Sequence, residues 1–196
     1  MKKQDYIFLA GVLLLIAAFI FPLWSIELAA PQYPEGLGFY IHIDKLSGFN
    51  ENDLNTINGL NHYIGMQKIE PGSIAELEYM PVIVGTVMIL GLIAFFIRKK
   101  AVRIIWLVLL AVVLAAGVAD FYIWGYNYGH NLDPKAAIKV PGMTYQPPLI
   151  GSKKLLNIEA LSLPHAGGIA PLLSLLLAGY SIFLMGKKEG TDEKVA

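Results

Sequence analysis

Four apolar stretches without any lysine or arginine constrain the fold of this chain more than any other feature. They are Tyr6–Trp24, Met80–Ile97, Ile104–Trp124 and Ala166–Met185. Each is close to the roughly 20 residues that an α-helix needs to cross a hydrocarbon core of about 30 Å. Because lipid offers no hydrogen bonds to the backbone, we expect all four stretches to be transmembrane helices.

The basic residues that flank these spans predict the orientation of the protein. They form three clusters, which are Lys2 and Lys3, then Arg98, Lys99, Lys100 and Arg103, and finally Lys187 and Lys188. Four spans bring all three clusters to the same side, which the positive-inside rule makes the cytoplasm. We therefore expect a multi-pass protein with both termini in the cytoplasm and two outer loops, residues 25–79 and 125–165.

The first span could instead be a cleaved signal peptide, since it has a basic start and an apolar run. A cleavage site needs small residues at two alternating positions. In Leu28-Ala29-Ala30 the bulky Leu28 occupies the first of them, and Pro31 comes directly after Ala30. We favour an uncleaved first helix.

The outer loops are rich in glycine, proline, tyrosine, leucine and isoleucine, which is not the composition of a disordered linker. Alternating apolar residues predict a short strand over Phe39–Asp44. Asp53 can begin a helix that carries apolar residues up to Ile64. The second loop looks extended and irregular. The predicted fold is thus one all-α membrane domain over residues 1–196, with four transmembrane helices and two long structured extracytoplasmic loops.

The composition excludes several chemistries. The chain has no cysteine, so disulfides, iron–sulfur clusters and covalently attached haem c are ruled out. A net charge of zero gives no indication of nucleic acid binding. No nucleophile elbow, phosphate-binding loop or HExxH zinc motif is present, so we expect a protein that is not an enzyme.

His62 and Met66 are the most suggestive candidates for a metal site. If both lie on one helix, their spacing of four puts them on one face, together with Asn58. Imidazole and thioether ligands suit copper, and the thioether favours Cu(I). The alternative is that His62 only forms a hydrogen bond and that Met66 only packs.

Every histidine of the chain falls in the two outer loops. A copper site could therefore also draw on four more side chains, which are His42, His130, Met143 and His165. No pair among them has the local spacing of a zinc motif, so the fold would have to bring them together. Each could equally be an ordinary structural residue at the membrane interface.

Asp120 is the single acidic residue inside a predicted span and lies about one helical turn before Trp124. Intramembrane acids are rare and are often functional. Tyr122, Tyr126 or Lys135 could be its partner. A structural hydrogen bond between helices is the alternative.

Four loop segments carry a family resemblance: Pro31–Leu37, Ile57–Met66, Tyr128–Pro134 and Tyr145–Gly151. With them the chain resembles a family of small four-span bacterial membrane proteins, similar to proteins encoded beside nitrous oxide reductase and its copper-maturation factors. The resemblance implies a place in the inner membrane, near the assembly of a copper enzyme in denitrification. It implies no particular ligand residues.

Three functions follow as hypotheses. The first is an accessory protein of nitrous oxide reductase maturation or copper handling, which binds copper or docks a periplasmic copper protein with its outer loops. The second is a structural or electron-transfer-associated subunit that buries its loop aromatics against other membrane subunits and binds no metal. The third is a membrane enzyme that uses Asp120 with His130 or His165 as acid and base.

Overall fold

The computed structural model describes residues 2–192, and within them four helices are long and apolar enough to cross a membrane. These candidate spans are Lys3–Ile20, Glu76–Ile97, Lys100–His130 and Ala166–Lys187. Each overlaps one of the four predicted stretches, so the prediction of four apolar helices is confirmed. The side of the membrane on which each end lies stays a prediction.

The helices are numbered along the chain. They are α1 (Lys3–Leu14), α2 (Ala17–Ile20), α3 (Asp53–Ile64), α4 (Glu76–Ile97), α5 (Lys100–His130) and α6 (Ala166–Asp192). A turn at Leu15 and Ile16 separates α1 from α2, which together form the first span. The predicted helix at Asp53 is confirmed as α3, which ends at Gly65 in the left-handed conformation (φ 81°) that glycine adopts readily.

The spanning helices pack as a ring, because α1 and α5 each contact both α4 and α6. Phe8 and Val12 of α1 meet Trp106 and Leu110 of α5 in the centre of this bundle. The outward faces carry large apolar side chains such as Phe96, which is 73% exposed. Lipid is the solvent that suits such a surface.

A buried ion pair closes the basic end of the bundle. Arg103 lies in the first turn of α5 and is 0% exposed, and its Nη2 donates to Asp5 Oδ1 of α1 at 2.7 Å. Arg103 Nη1 also reaches Ser181 Oγ of α6 at 3.4 Å, and Ser181 Oγ donates to the Gln4 carbonyl at 2.7 Å. Three helices are therefore joined through one guanidinium group.

The opposite end of the bundle carries a five-stranded antiparallel sheet. Its strands are β1 (Trp24–Ala30), β2 (Tyr33–Ile41), β3 (Leu46–Gly48), β4 (Gly151–Leu155) and β5 (Ile158–Pro164). They lie in the order β3-β2-β1-β5-β4, so both outer loops contribute.

The all-α prediction is therefore wrong, and the protein combines a helical bundle with a sheet. The predicted strand at Phe39–Asp44 is only partly right, since β2 ends at Ile41 but begins earlier, at Tyr33. The second loop is not irregular throughout, because its last part forms the hairpin of β4 and β5. The reason is that β1 pairs with β5, from the other loop, which a local pattern does not reveal.

One face of the sheet packs on α3 and on the last turns of α5. Ile26, Phe39 and Ile57 are buried in this second core together with Tyr128. The helix α5 ends at His130 and not, as predicted, at Trp124, and its additional turns make these contacts. We call the sheet, α3 and their connecting segments the cap (residues 21–75 and 131–165).

Candidate binding cavity

A cavity of about 220 Å³ lies within the cap, between the sheet, α3 and the end of α5. Its lining is mostly apolar. The apolar and aromatic lining residues are Ile26, Leu28, Phe39, Ile57, Leu60, Tyr63, Ile64, Met66, Ile69, Trp124, Tyr128, Ile138, Tyr145, Pro147, Leu155, Leu156 and Ile158. Several chain segments distant in sequence thus line one apolar space, which is partly open to the surface.

The strands of the sheet run away from the bundle. Trp24, at the bundle end of β1, pairs with Ile41 on one side and with Pro164 on the other. The turns after β1 and β4, where Gln32 and Asn157 stand, lie at the far end. Since the lining includes both Trp124 and these two turn residues, the cavity follows the sheet from the bundle toward the far rim.

No charged residue lines the cavity, and its polar amides are engaged. Asn61 Nδ2 donates to the Gln67 carbonyl at 3.4 Å, and Asn157 Nδ2 donates to Gln32 Oε1 at 3.3 Å. Burying an unpaired charge in such a space costs far more than burying a neutral group. The cavity is therefore suited to an uncharged apolar molecule.

Tyr145 differs from the other polar residues of the lining. It is 3% exposed, and its hydroxyl is buried without a hydrogen-bond partner within residues 2–192. The hydroxyl of neighbouring Tyr128, by contrast, donates to the Lys68 carbonyl. A buried hydroxyl without a partner costs the folded state about 1–3 kcal/mol.

A glycine fixes the position of Tyr145. The Tyr145 N–H donates to the Gly129 carbonyl at 3.0 Å, and a Cβ on Gly129 would lie 2.2 Å from the backbone nitrogen of Gln146. The loop can cross α5 this closely only because residue 129 has no side chain.

Side chains on α3 hold the opposite wall. Asn58 forms two hydrogen bonds with the backbone of Ile69, from Nδ2 to the carbonyl at 3.1 Å and from the N–H to Oδ1 at 2.7 Å. Buried Asp53 accepts the backbone N–H of Gly38 at 3.1 Å and that of Asn50 at 3.2 Å. The Asn58 amide, which the sequence grouped with the possible metal ligands, thus has a structural role.

His62 and Met66 do not share a helix face. Because α3 ends at Ile64 and the chain turns at Gly65, Met66 lies beyond the helix and its side chain lines the cavity. His62 is exposed, and its ring lies 6.0 Å from that of Tyr63. The assumption of one helix over both residues is therefore wrong.

His42 and His165 are brought into one region by the sheet, since they directly follow Ile41 and Pro164, the two partners of Trp24. Both rings pack edge-on against Tyr40, at centroid distances of 6.4 Å and 5.5 Å. His42 Nε2 is hydrogen-bonded with Ser47 Oγ at 3.0 Å, whereas His165 Nδ1 is buried without a partner within the described chain.

Burial lowers the pKa of His42 below its usual value of 6.5, and the charge of Lys45 lowers this pKa further. Asp44 acts in the opposite direction. The burial effect dominates, so His42 remains neutral at pH values where an ordinary histidine would start to be protonated.

The other two candidate ligands have local contacts. His130 Nδ1 donates to the Tyr126 carbonyl at 2.9 Å, and its ring stacks on that of Tyr126 at 3.9 Å. Met143 closes a turn through its N–H, which donates to the Val140 carbonyl at 3.1 Å. Residues 2–192 contain no group of three or more His, Asp or Glu side chains that could hold a metal ion.

Asp120 is exposed on α5, and its charge interacts with that of Glu76 at the start of α4. The Tyr79 hydroxyl donates to Glu76 Oε1 at 3.2 Å. The charge that acts on Asp120 is thus that of another carboxylate, and the partners considered from the sequence stay predictions.

Comparisons with known proteins do not add a family to this description. No protein-family model matches the chain, and no curated protein matches it. The resemblance to proteins encoded beside nitrous oxide reductase therefore stays a prediction.

Proposed function

We propose that this is a membrane-anchored binding protein whose cap takes up a small, uncharged, apolar molecule. The observation that carries the proposal is the cavity of about 220 Å³, which has an apolar lining and no charged residue. An engineered apolar cavity of about 150 Å³ binds benzene in another protein. The space in the cap is therefore large enough for a short hydrocarbon chain or a small ring.

The bilayer is the nearest source of such a molecule. Trp124 lines the cavity and belongs to α5, which is one of the four candidate spans. If the orientation predicted from the basic residues holds, the cap lies on the extracytoplasmic side. A molecule that entered at this end would lie against the apolar face of the sheet.

The proposed role is binding and not turnover. The walls are fixed by backbone pairing within the sheet and by side chains such as Asn58. The polar amides of the lining are already engaged with one another or with the backbone. Such a lining can hold and orient a molecule, but it offers no nucleophile or base close to it.

The test compares two leucine-to-tryptophan variants of α3. Leu60 lines the cavity, whereas Leu54 packs on the same core outside it. The probe is a terminally fluorinated octane, added to the purified protein in an amphipol and followed by ¹⁹F NMR. We expect a saturable bound signal for the wild type and for Leu54→Trp, and its loss in Leu60→Trp, because the larger side chain fills the space.

Two results would contradict the proposal. One is the absence of a saturable bound signal in the wild type. The other is equal binding by Leu60→Trp and wild type while both variants remain folded, as judged by their thermal unfolding.

Copper binding is the second candidate function, and a specific observation favours it. His42 and His165 share the ring of Tyr40 as a neighbour, and His165 Nδ1 has no partner within the described chain. A metal needs the neutral form of histidine, and the lowered pKa of His42 keeps that form present at mildly acid pH. Of the six candidate copper ligands, this function would use only these two histidines. They would either bind Cu(I) themselves or belong to a surface that docks a periplasmic copper protein.

The copper test is a titration of the protein with Cu(I) under reducing conditions against a coloured chelator. We expect the wild type and His62→Gln to compete for copper, and the double variant His42→Gln/His165→Gln to lose that ability. If the wild type does not compete, the protein does not bind Cu(I). If His62→Gln abolishes competition while the double variant retains it, the site lies on α3 instead.

A further inference from the structure

We propose that the molecule bound in the cap is an amphiphile with a single hydrocarbon tail, which points its tail toward the bundle and places an uncharged polar head at the far rim. This inference rests on the proposed function and adds the class and the direction of the ligand. It starts from the difference in polarity between the two ends of the cavity.

The bundle end of the cavity is apolar, whereas the far rim is polar. At the bundle end the lining includes Trp124 of α5 and Ile26 of β1. At the far rim stand Gln32 and Asn157, whose side chains are both exposed and are joined by the hydrogen bond at 3.3 Å. Each amide has further donors or acceptors beyond this bond. The tail of a ligand therefore belongs at the bundle end and its polar head at the far rim, where water also reaches.

The volume of the cavity fits one tail and not two. An apolar cavity of about 150 Å³ takes up one benzene ring. In proportion, the cavity of about 220 Å³ holds on the order of nine carbon atoms. From Ile26 to Ala30 the strand β1 rises by about 13 Å, which gives an extended tail room along the sheet. A second tail would have to remain in water.

The direction of the ligand matches the direction of lipids in a bilayer. An amphiphile of the outer leaflet turns its head toward the water and its tail toward the middle of the membrane. With the cap on the extracytoplasmic side, as the basic clusters predict, the bundle end of the cavity faces the membrane and the far rim faces away from it. Such a molecule could pass into the cap along its own axis, without burying its head.

A backbone feature at the far rim supports this position of the head. The paired residues Leu155 and Ile158 enclose a two-residue turn, in which Leu156 has a φ of 57°. Glycine, asparagine or aspartate usually occupies such a position, because other side chains are strained there. Strain of this kind is typical of ligand-binding sites. Here it places the leucine side chain in the lining, beside the amides of the rim.

The experiment uses two isomeric decyl glucosides that differ only in the position of a photoreactive diazirine. One carries the diazirine at the end of its tail, and the other carries it beside the head. Each is bound to the amphipol-held protein and irradiated, and mass spectrometry locates the labelled residues. The variants are Leu60→Trp, which fills the cavity, and Leu54→Trp as a matched control, both checked for folding by thermal unfolding.

We expect the two probes to label opposite ends of the cavity. The tail-end probe should label Ile26 and Trp124, and the head-side probe should label Leu156 and Asn157. Both labels should be lost in Leu60→Trp and retained in Leu54→Trp. An excess of unlabelled decyl glucoside should suppress them, whereas a glucoside with two decyl tails should not.

The two proposals can fail separately, because the fluorinated octane reports on the cavity alone. Reversed labelling, equal labelling of both ends by each probe, or equal suppression by the two-tailed glucoside would overturn this inference. So would the absence of saturable labelling by either glucoside while the octane still binds, and in each of these cases the proposed function stands. If the octane does not bind to the wild type either, both proposals fail.

Discussion

Replacing Asp5 by asparagine is expected to destabilise the helical bundle by about 3–5 kcal/mol. The substitution removes the carboxylate that pairs with Arg103, a residue that is 0% exposed. The guanidinium would keep its contacts with Ser181 Oγ and Met185 Sδ, both at 3.4 Å, and with the ring of Phe8. None of these contacts balances a buried positive charge, so the unpaired charge raises the free energy of the folded state.

A matched control separates this effect from the loss of any acid in the helices. Asp120→Asn makes the same chemical change at an exposed position on α5, and we expect it to change stability little. The double variant Asp5→Leu/Arg103→Met removes both charges and should recover much of the loss, because no unpaired charge remains. Unfolding of the detergent-purified proteins by heat or by a denaturing detergent provides the comparison. Equal effects of Asp5→Asn and Asp120→Asn would contradict the structural role of the ion pair.

Gly168→Ala is expected to damage the junction between the bundle and the cap. A Cβ at this position would lie 2.3 Å from the backbone carbonyl oxygen of Leu23, which directly precedes β1. Two hydrogen bonds hold the start of α6 against the segment before β1. The His165 N–H donates to the Leu23 carbonyl at 3.0 Å, and the Gly167 N–H donates to the Pro22 carbonyl at 2.9 Å. Because backbone must move on both sides, we expect a loss of about 1–3 kcal/mol or more.

The control for this prediction lies on the same helix. A Cβ on Gly179 of α6 meets nothing within 4 Å, so Gly179→Ala should be neutral or should stabilise the helix by up to about 1 kcal/mol. Thermal unfolding of the two variants beside the wild type is the measurement. A Gly168→Ala protein as stable as Gly179→Ala would show that α6 packs less tightly against the segment before β1 than the structure describes.

The bundle could be predicted from the sequence because lipid imposes a length and a composition on each span. The helix at Asp53 could also be predicted, since its apolar residues recur at helical spacing and a glycine follows. The sheet could not be derived in full. Ile26, Leu28 and Ala30 do alternate with Ser25 and Glu27, but so short a pattern directly after a span does not by itself distinguish a strand from a loop.

Long-range pairing explains the rest of what the sequence did not reveal. The partner of β1 in the second loop, β5, is more than a hundred residues away, and no local pattern specifies it. The cavity exists only when β1, α3 and the Tyr145 segment come together. The proximity of His42 and His165 has the same origin, because it follows from the positions of Ile41 and Pro164 beside Trp24.

Photolabelling with an alkyl diazirine in native membrane vesicles tests the central claim most directly, because it reports where an apolar molecule resides. After irradiation, mass spectrometry locates the labelled residues. We predict saturable labelling of cavity residues such as Leu60, Met66 and Leu156, which an excess of unlabelled octane suppresses. Labelling confined to lipid-facing residues of the bundle, such as Ile89 and Phe96, would contradict a binding role for the cap.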